Sequence, residues 1–170
     1  MTPTKVFIDG GGNFRKSVEK CLTQLNTHFD EIHVFEPNPA FRASFQGHRY
    51  NLVQKAIWTE NTFSSFYLSK DQNQVGSSLL ENKLCRTKEG VPIKNYLGPD
   101  FHPEALQVEC VDFSEWLKNN FSHENYELTL KLDIEGAEYP VLWKMIEDNT
   151  ISLVKNLYVE FHKEHLKVST

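Results

Sequence analysis

Short, mostly apolar runs alternate with segments of helical periodicity through the first sixty residues, and this alternation constrains the fold more than any other feature. A short apolar run predicts a buried strand, whereas apolar residues three and four apart predict a helix that packs on it. The predicted order is a strand at 5–8, a helix over 14–25, a strand at 32–35, a helix that Asn38 caps, and a strand at 52–58. This β-α-β-α-β order with short connections predicts an α/β fold, a mostly parallel sheet with helices on both faces.

The second half of the chain continues this pattern after one long polar segment. Further strands are predicted at 63–68, 106–110, 128–132 and 157–161, with a helix that Asp112 caps and another over 141–146. The segment at about 70–104 is polar and interrupted by Gly and Pro, and a loop of that length in a compact domain is usually either a functional lid or an element that the pattern misses. We expect a lid-like segment. Because 170 residues suit one domain and no repeat or linker interrupts them, we expect a single domain over 1–170.

Composition excludes several classes of protein. The net charge of −5 argues against a protein that binds nucleic acid by neutralising phosphates. No apolar stretch approaches the ~20 residues that cross a bilayer, and the first strand begins too early to leave room for a signal peptide. The cysteines Cys21, Cys85 and Cys110 are odd in number and unrelated in spacing, which predicts reduced packing residues. We therefore expect a cytoplasmic protein with no nucleic-acid or membrane partner.

Acidic residues stand at the ends of four predicted strands. They are Asp9, Glu36, Asp133 and Glu160. In open α/β sheets, ligands bind beyond the carboxyl ends of the strands, at the point where the strand order reverses. The glycine run at 10–12 lets the backbone approach a ligand at a helix N-terminus, and Glu36 stands where a carboxylate binds both hydroxyls of a ribose. Together these residues predict one shared site for an adenosyl cofactor.

The glycine run also discriminates between adenosyl cofactors. The fingerprint of a dinucleotide site has Gly at its first, third and sixth positions, but here Gly10 and Gly12 are followed by Arg15. Asp9 would place negative charge beside a pyrophosphate, whereas the ammonium and sulfonium groups of S-adenosylmethionine are attracted by a carboxylate. The sequence therefore favours S-adenosylmethionine and disfavours a dinucleotide oxidoreductase.

Five segments of the chain resemble the successive motifs of FkbM-type methyltransferases, in the family's order. They lie at 6–13 (VFIDGGGN), 34–38 (VFEPN), 75–79 (VGSSL), 130–138 (LKLDIEGAE) and 158–162 (YVEFH). The resemblance covers nearly the whole chain, and the 130–138 segment is its most specific part. It implies a class I, Rossmann-like fold and S-adenosylmethionine-dependent O-methylation, typically of a hydroxyl on a sugar, glycan or polyketide-like small molecule.

The resemblance also implies roles for individual residues. Asp9, Gly11 and Asn13 would hold the methionine end of the cofactor, and Glu36 would hold its ribose.

Lys131, inside an apolar strand, is expected to pair with a neighbouring carboxylate. The full predicted cofactor site comprises Asp9, Gly10, Gly11, Gly12, Asn13, Glu36, Pro37, Ala56 and Asp133.

A hydroxyl acceptor needs a general base, and the candidates stand at two strand ends. They are Asp133, Glu135, Glu160 and His162. Crowded acids cannot all ionise without cost, so we expect at least one pKa to rise towards neutrality. This favours Asp133 or Glu135 as the catalytic base, with His162 as the alternative that needs no perturbation. No metal is expected, because His162, His165 and Glu160 lack a third well-placed histidine.

Two departures from the family's pattern keep a second function open. Arg15 stands where the family usually has glycine, and the chain ends at Thr170, before the usual C-terminal antiparallel strand pair. This end fits a naturally short chain, a truncated one, or an edge strand at 157–161 that pairs with a second copy of the chain. The alternative function is a non-catalytic module or scaffold that binds an adenosyl ligand and has lost turnover.

Overall fold

The structure, a computed structural model, describes residues 2–69, 74, 76–80, 105–122 and 125–162. The described strands are β1 (Thr4–Gly10), β2 (Glu31–Phe35), β3 (Asn51–Val53), β4 (Ala56–Trp58), β5 (Thr62–Phe66), β6 (Leu106–Asp112), β7 (Tyr126–Leu132) and β8 (Val154–Val159). The described helices are α1 (Arg15–Leu25), α2 (Arg42–Phe45), α3 (Phe113–Phe121) and α4 (Glu138–Glu147), with short 3-10 turns at Pro39–Phe41 and Thr150–Leu153.

Five of these strands form a parallel sheet in the order β3-β2-β1-β7-β8. The chain builds outwards from β1 through β2 to β3, and later places β7 on the other side of β1. The strand order therefore reverses between β1 and β7, where Asp9 pairs with Lys131 and Gly10 with Leu132. The carboxyl ends of these two strands flank the crevice in which open α/β sheets bind their ligands.

The side chains of β1 alternate between two apolar cores, one on each face of the sheet. Val6 belongs to a cluster with Leu117 of α3 and Met145 of α4. Phe7 belongs to a second cluster with Val18 of α1. Helices thus cover both faces, and the predicted α/β fold with a mostly parallel sheet is confirmed.

The single strand predicted at 52–58 is wrong, because the chain changes sheets in the middle of this apolar run. The Lys55 N–H donates to the Val53 carbonyl oxygen at 2.8 Å, and this turn separates β3 from β4. The second strand, β4, joins a three-stranded sheet in the order β4-β6-β5, in which β5 runs antiparallel to β6. The run is long enough to support one strand in each sheet, and hydrophobicity alone does not mark the turn.

Two predicted helix caps are confirmed by their hydrogen bonds. The Asn38 side chain accepts the Ala40 N–H at 3.0 Å, although the segment after it begins as a 3-10 turn before α2. The Asp112 carboxylate accepts the Glu115 N–H at 3.0 Å at the start of α3. In a capping box the Asp112 N–H would donate to the Glu115 carboxylate. Here that N–H donates to Asn61 Oδ1 at 3.0 Å, and the Asn61 amide donates to the Glu115 carboxylate at 2.7 Å.

The last strand begins and ends earlier than predicted, at Val154–Val159 instead of 157–161, so Glu160 follows the strand. Among the described strands, β8 lies at one edge of the large sheet. Association through this edge stays a prediction, and the tail after residue 162 lies outside the described residues, as does most of the predicted lid at 70–104. None of the described helices combines the length and the apolar character that a membrane crossing requires.

Candidate functional site

A cavity of about 390 Å³ opens where the strand order reverses, at the carboxyl ends of β1 and β7. Its volume falls in the roughly 300–1,000 Å³ range of small-molecule sites. The predicted site residues on its wall are Gly11, Asn13, Glu36, Pro37, Ala56, Asp133 and Glu135. The other predicted site residues, Asp9, Gly10, Gly12 and His162, lie outside this lining. The structure therefore brings most of the predicted set to one cavity.

Close packing dictates the glycine run as much as ligand approach does. Gly11 has φ +84°, and a Cβ on it would lie 1.9 Å from the backbone oxygen of Asp133. A Cβ on Gly12 would lie 2.2 Å from the Val34 Cγ1 atom. The loop after β1 is thus pressed against both β7 and β2, and only glycine at position 11 allows this contact.

Glu36 is a buried carboxylate at the end of β2, with 6% of its surface exposed. Its Oε2 accepts the Asn13 N–H at 2.7 Å, and its Oε1 accepts the Asn38 N–H at 2.8 Å. Burial raises the pKa of Glu36 to about 7, although both hydrogen bonds act to lower it. Each carboxylate oxygen can accept more than one hydrogen bond, so Glu36 can still accept two ligand hydroxyls.

Asn13 carries an acceptor for which the described part of the chain offers no donor. Its backbone is left-handed, with φ 51°, a conformation that Asn tolerates better than most residues. The Oδ1 atom is buried and has no hydrogen-bond partner within the described residues. Such an acceptor costs about 1–3 kcal/mol when unsatisfied. Since Asn13 lines the cavity, a ligand with an N–H or O–H group at this point would remove the cost.

Asp9 lies outside the cavity lining and is paired within the protein, so its role at the methionine end of the cofactor stays a prediction. Its carboxyl is buried, and the Lys131 Nζ donates to Oδ1 at 2.9 Å, which confirms the predicted pairing of Lys131. Burial raises the pKa of Asp9, while Lys131 opposes that shift. The carboxylates on the cavity wall are instead Glu36, Asp133 and Glu135.

Asp133 and Glu135 belong to the turn that follows β7, and both face the cavity. Glu135 has φ 57°, a left-handed conformation that non-glycine residues adopt mostly at constrained or functional turns. Burial raises the pKa of Asp133; Lys131 and His162 lower it, and Glu160 and Glu135 raise it. The expectation that one pKa in this group rises is confirmed for Asp133, with burial and not crowding as its main cause.

His162 lies behind these carboxylates. Its Nδ1 is 2.8 Å from Oε1 of Glu138, and its Nε2 is 3.4 Å from Oε2 of Glu135 and 3.8 Å from Oδ1 of Asp133. The fourth candidate base, Glu160, has a side chain that is 69% exposed. Donor atoms of Asp133, Glu135 and His162 lie within 4.8 Å of one another, a spacing compatible with a metal ion, so the absence of a metal stays a prediction.

Glu138 is a functional-site residue that sequence reasoning did not assign. It is fully buried at the start of α4, in the same stripe as Val141 and Met145. An acid at the i position of a buried i, i+3, i+7 stripe needs a polar partner, and this pattern was visible in the sequence.

Helix α1 supplies further wall residues that were not assigned, namely Ser17, Lys20, Cys21 and Gln24.

Ser78 joins the motif at 75–79 to the turn after β7. Its backbone pairs with Tyr67, and its hydroxyl donates to the Glu135 backbone oxygen at 2.8 Å. Ser77 of the same motif lines the cavity, while residue 75 lies outside the described residues. The described part of this motif is therefore next to the site.

Arg15 does not enter the cavity. Its N–H donates to Ser44 Oγ at 3.2 Å, and its guanidinium pairs with Glu19 one turn along α1. The side chain that replaces the usual glycine therefore lies along its own helix, and its positive charge is already matched.

Comparison with known proteins gives one family. The family model of the methyltransferase FkbM domain matches residues 9–169. No curated protein and no solved structure matches the chain.

Proposed function

The chain belongs to the FkbM methyltransferase family, as its motifs predicted, and from this premise we propose that it transfers the methyl group of S-adenosylmethionine to a hydroxyl oxygen. The proposed acceptor is a sugar, a glycan or a polyketide-like small molecule. The observation that carries the proposal is the cavity at the reversal of strand order, whose wall includes both Glu36 and Asp133.

The groups on the cavity wall suit an adenosyl cofactor. Glu36 would accept hydrogen bonds from the two ribose hydroxyls, and Asn13 Oδ1 would accept one from the ligand where the described chain offers no donor. Ala56 and Ile57 supply apolar surface for the adenine. The wall carboxylates Glu36, Asp133 and Glu135 outnumber the wall lysines Lys20 and Lys131, and this balance would favour the cationic sulfonium over a pyrophosphate.

The proposed reaction is an in-line displacement at the methyl carbon. The acceptor oxygen forms a bond to the methyl carbon while the bond from that carbon to sulfur breaks, and the bonding electrons leave with sulfur as a neutral thioether. The hydroxyl proton passes to a carboxylate, for which we propose Asp133. Asp133 lines the cavity and has a raised pKa, as a general base requires, whereas His162 lies outside the lining and Glu160 is exposed.

The alternative, a non-catalytic module that binds an adenosyl ligand, rested partly on Arg15. The guanidinium pairs with Glu19 and lies outside the cavity lining, so it leaves the cofactor space open. We therefore favour the enzyme, and the two functions are separated by one experiment.

That experiment incubates the protein with S-adenosylmethionine labelled in its methyl group and a panel of acceptors. The panel contains monosaccharides, oligosaccharides and hydroxylated polyketides, with amines and thiols for comparison. We expect label on the oxygen of at least one hydroxyl acceptor, with equimolar S-adenosylhomocysteine. Binding of S-adenosylhomocysteine without transfer to any acceptor would favour the non-catalytic module, and label on nitrogen or sulfur would contradict O-methylation.

Cofactor binding should release protons from Glu36. With a pKa of about 7, this carboxyl is about half protonated at pH 7 in the empty protein. Ribose hydroxyls donate to the charged form and lower its pKa, so S-adenosylhomocysteine binding should release up to about half a proton at pH 7. Calorimetry in phosphate and in Tris buffer measures this release. Glu36→Gln should abolish it, and a release that is unchanged in this variant would exclude Glu36 as its source.

A further inference from the structure

Glu138 is a carboxylate buried without exposure and hydrogen-bonded at both of its oxygens. Its Oε1 accepts the Ile134 N–H at 2.9 Å and faces Nδ1 of His162 at 2.8 Å, while its Oε2 accepts the Gly136 N–H at 2.9 Å. A buried charge of this kind is costly unless every partner is in place. Glu138 therefore fixes two things at once, the backbone of the turn after β7 and the orientation of one imidazole.

The imidazole ring of His162 is oriented so that its second nitrogen faces the carboxylates of the proposed reaction. With Nδ1 committed to Glu138, the other ring nitrogen of His162 faces Oε2 of Glu135 at 3.4 Å and Oδ1 of Asp133 at 3.8 Å. Asp133 and Glu135 line the cavity, whereas His162 lies outside the lining. His162 is thus placed to act on these two carboxylates and not on an acceptor directly.

We infer that Glu138 and His162 are positioning residues, a buried carboxylate and an imidazolium that hold Asp133 and Glu135 at the cavity wall. This role rests on the proposed methyl transfer, in which Asp133 takes the proton. The candidate bases then have different tasks. Asp133 takes the proton, and His162 acts through Asp133 and does not compete with it.

The charges around His162 set its protonation. It is faced by Glu138 from α4, by Asp133 and Glu135 from the turn after β7, and by Glu160 at 3.9 Å. The hydrogen bond with Glu138 raises the pKa of His162, burial opposes this, and the neighbouring carboxylates raise it further. The imidazolium is thereby stabilised against the loss of its proton.

The imidazolium in turn acts on the proposed base. Burial raises the pKa of Asp133, whereas the positive charges of Lys131 and His162 lower it. If the charge of Glu138 is removed, the pKa of His162 falls and its positive charge is lost at a lower pH. The pKa of Asp133 then rises, so the ascending limb of the pH–rate profile moves to higher pH.

The test follows the imidazole of His162 by NMR in the full chain, with His162→Asn used only to assign its signals. In the wild type we expect a titration midpoint above the ordinary value of about 6.5, and a neutral form that carries its proton on Nδ1. Glu138→Gln should lower the midpoint, whereas Glu160→Gln, the matched control on an exposed carboxylate, should lower it much less. Loss of a charge 2.8 Å away moves this midpoint in any case, so the positioning role is read from the pH–rate profile of methyl transfer, whose ascending limb moves to higher pH in Glu138→Gln only if His162 acts on Asp133.

Several results would overturn the inference. They are a wild-type midpoint at or below about 6.5, a neutral form protonated on Nε2, or equal midpoints in wild type and Glu138→Gln. The first two need no variant, so they decide the matter even if Glu138→Gln fails to fold. Broadening of the His162 signals by equimolar Mn²⁺ would instead make Asp133, Glu135 and His162 a cation site, and would also overturn it.

S-adenosylhomocysteine binding is measured on the same samples. If the wild type did not bind S-adenosylhomocysteine but showed the expected histidine titration, the proposed function would be wrong. The arrangement of Glu138 and His162 would still be supported. The converse, normal binding with an ordinary histidine titration, would defeat the positioning role alone.

Discussion

Asp133→Asn should lower turnover on a true acceptor by at least about 100-fold, because removal of a general base typically costs 10²–10⁴-fold. Asn keeps the size of the side chain and a hydrogen-bonding oxygen but cannot take the hydroxyl proton. The affinity for S-adenosylhomocysteine should change little, since Glu36 and Asn13 supply the proposed cofactor contacts. The measurement compares single-turnover rates of labelled methyl transfer with calorimetric binding of the product cofactor.

Two further variants make this result interpretable. Glu135→Gln alters the other cavity-lining carboxylate of the same turn, and we expect it too to lower turnover more than it weakens cofactor binding. Glu147→Gln, on an exposed part of α4, should leave both unchanged. If Asp133→Asn lost binding and turnover in parallel, Asp133 would belong to the cofactor site. If neither Asp133→Asn nor Glu135→Gln had an effect, the catalytic role of this turn would be refuted.

Gly11→Ala should destabilise the fold by at least about 2 kcal/mol or prevent folding. The backbone at Gly11 has φ +84°, which costs an L-residue about 1–2 kcal/mol. The new Cβ would also lie 1.9 Å from the Asp133 backbone oxygen, so the loop must separate from β7, and overpacking of this kind typically costs about 1–3 kcal/mol more. Urea unfolding measures the loss.

Gly47 offers a matched control for the backbone strain alone. Its φ is +73°, but a Cβ added there would meet no atom within 4 Å. Gly47→Ala should therefore cost only the conformational part, about 1–2 kcal/mol. Equal losses in the two variants would show that the contact between Gly11 and Asp133 is not a determinant of stability.

The elements of the fold could be predicted because their signals are local. The apolar runs of β1, β2 and β7 and the caps at Asn38 and Asp112 are readable from a few neighbouring residues. The division of 52–58 between two sheets could not, because it depends on which partner strand each half meets. The turn at Lys55 is closed by one hydrogen bond and has almost no signature in the local amino-acid sequence.

The location of the site could also be predicted, but its electrostatics only in part. Parallel strands bring their ends together, so acids at strand ends had to be neighbours once the sheet was parallel. Which acidic side chain lies beside which cationic side chain depends on the strand register, as the pairing of Asp9 with Lys131 shows. Glu138 was missed because an acid in the first turn of a helix usually has the simpler explanation of the helix dipole.

The central claim, an S-adenosylmethionine site built around Glu36, is tested most directly by calorimetry with S-adenosylhomocysteine and with NAD. The account predicts one bound S-adenosylhomocysteine per chain, no binding of NAD, and affinity lowered about 5- to 150-fold in Glu36→Ala, which corresponds to about 1–3 kcal/mol for the lost hydrogen bonds. Glu60→Ala, at an exposed acid, should bind as the wild type does. Binding of NAD without binding of S-adenosylhomocysteine, or full affinity in Glu36→Ala, would contradict it.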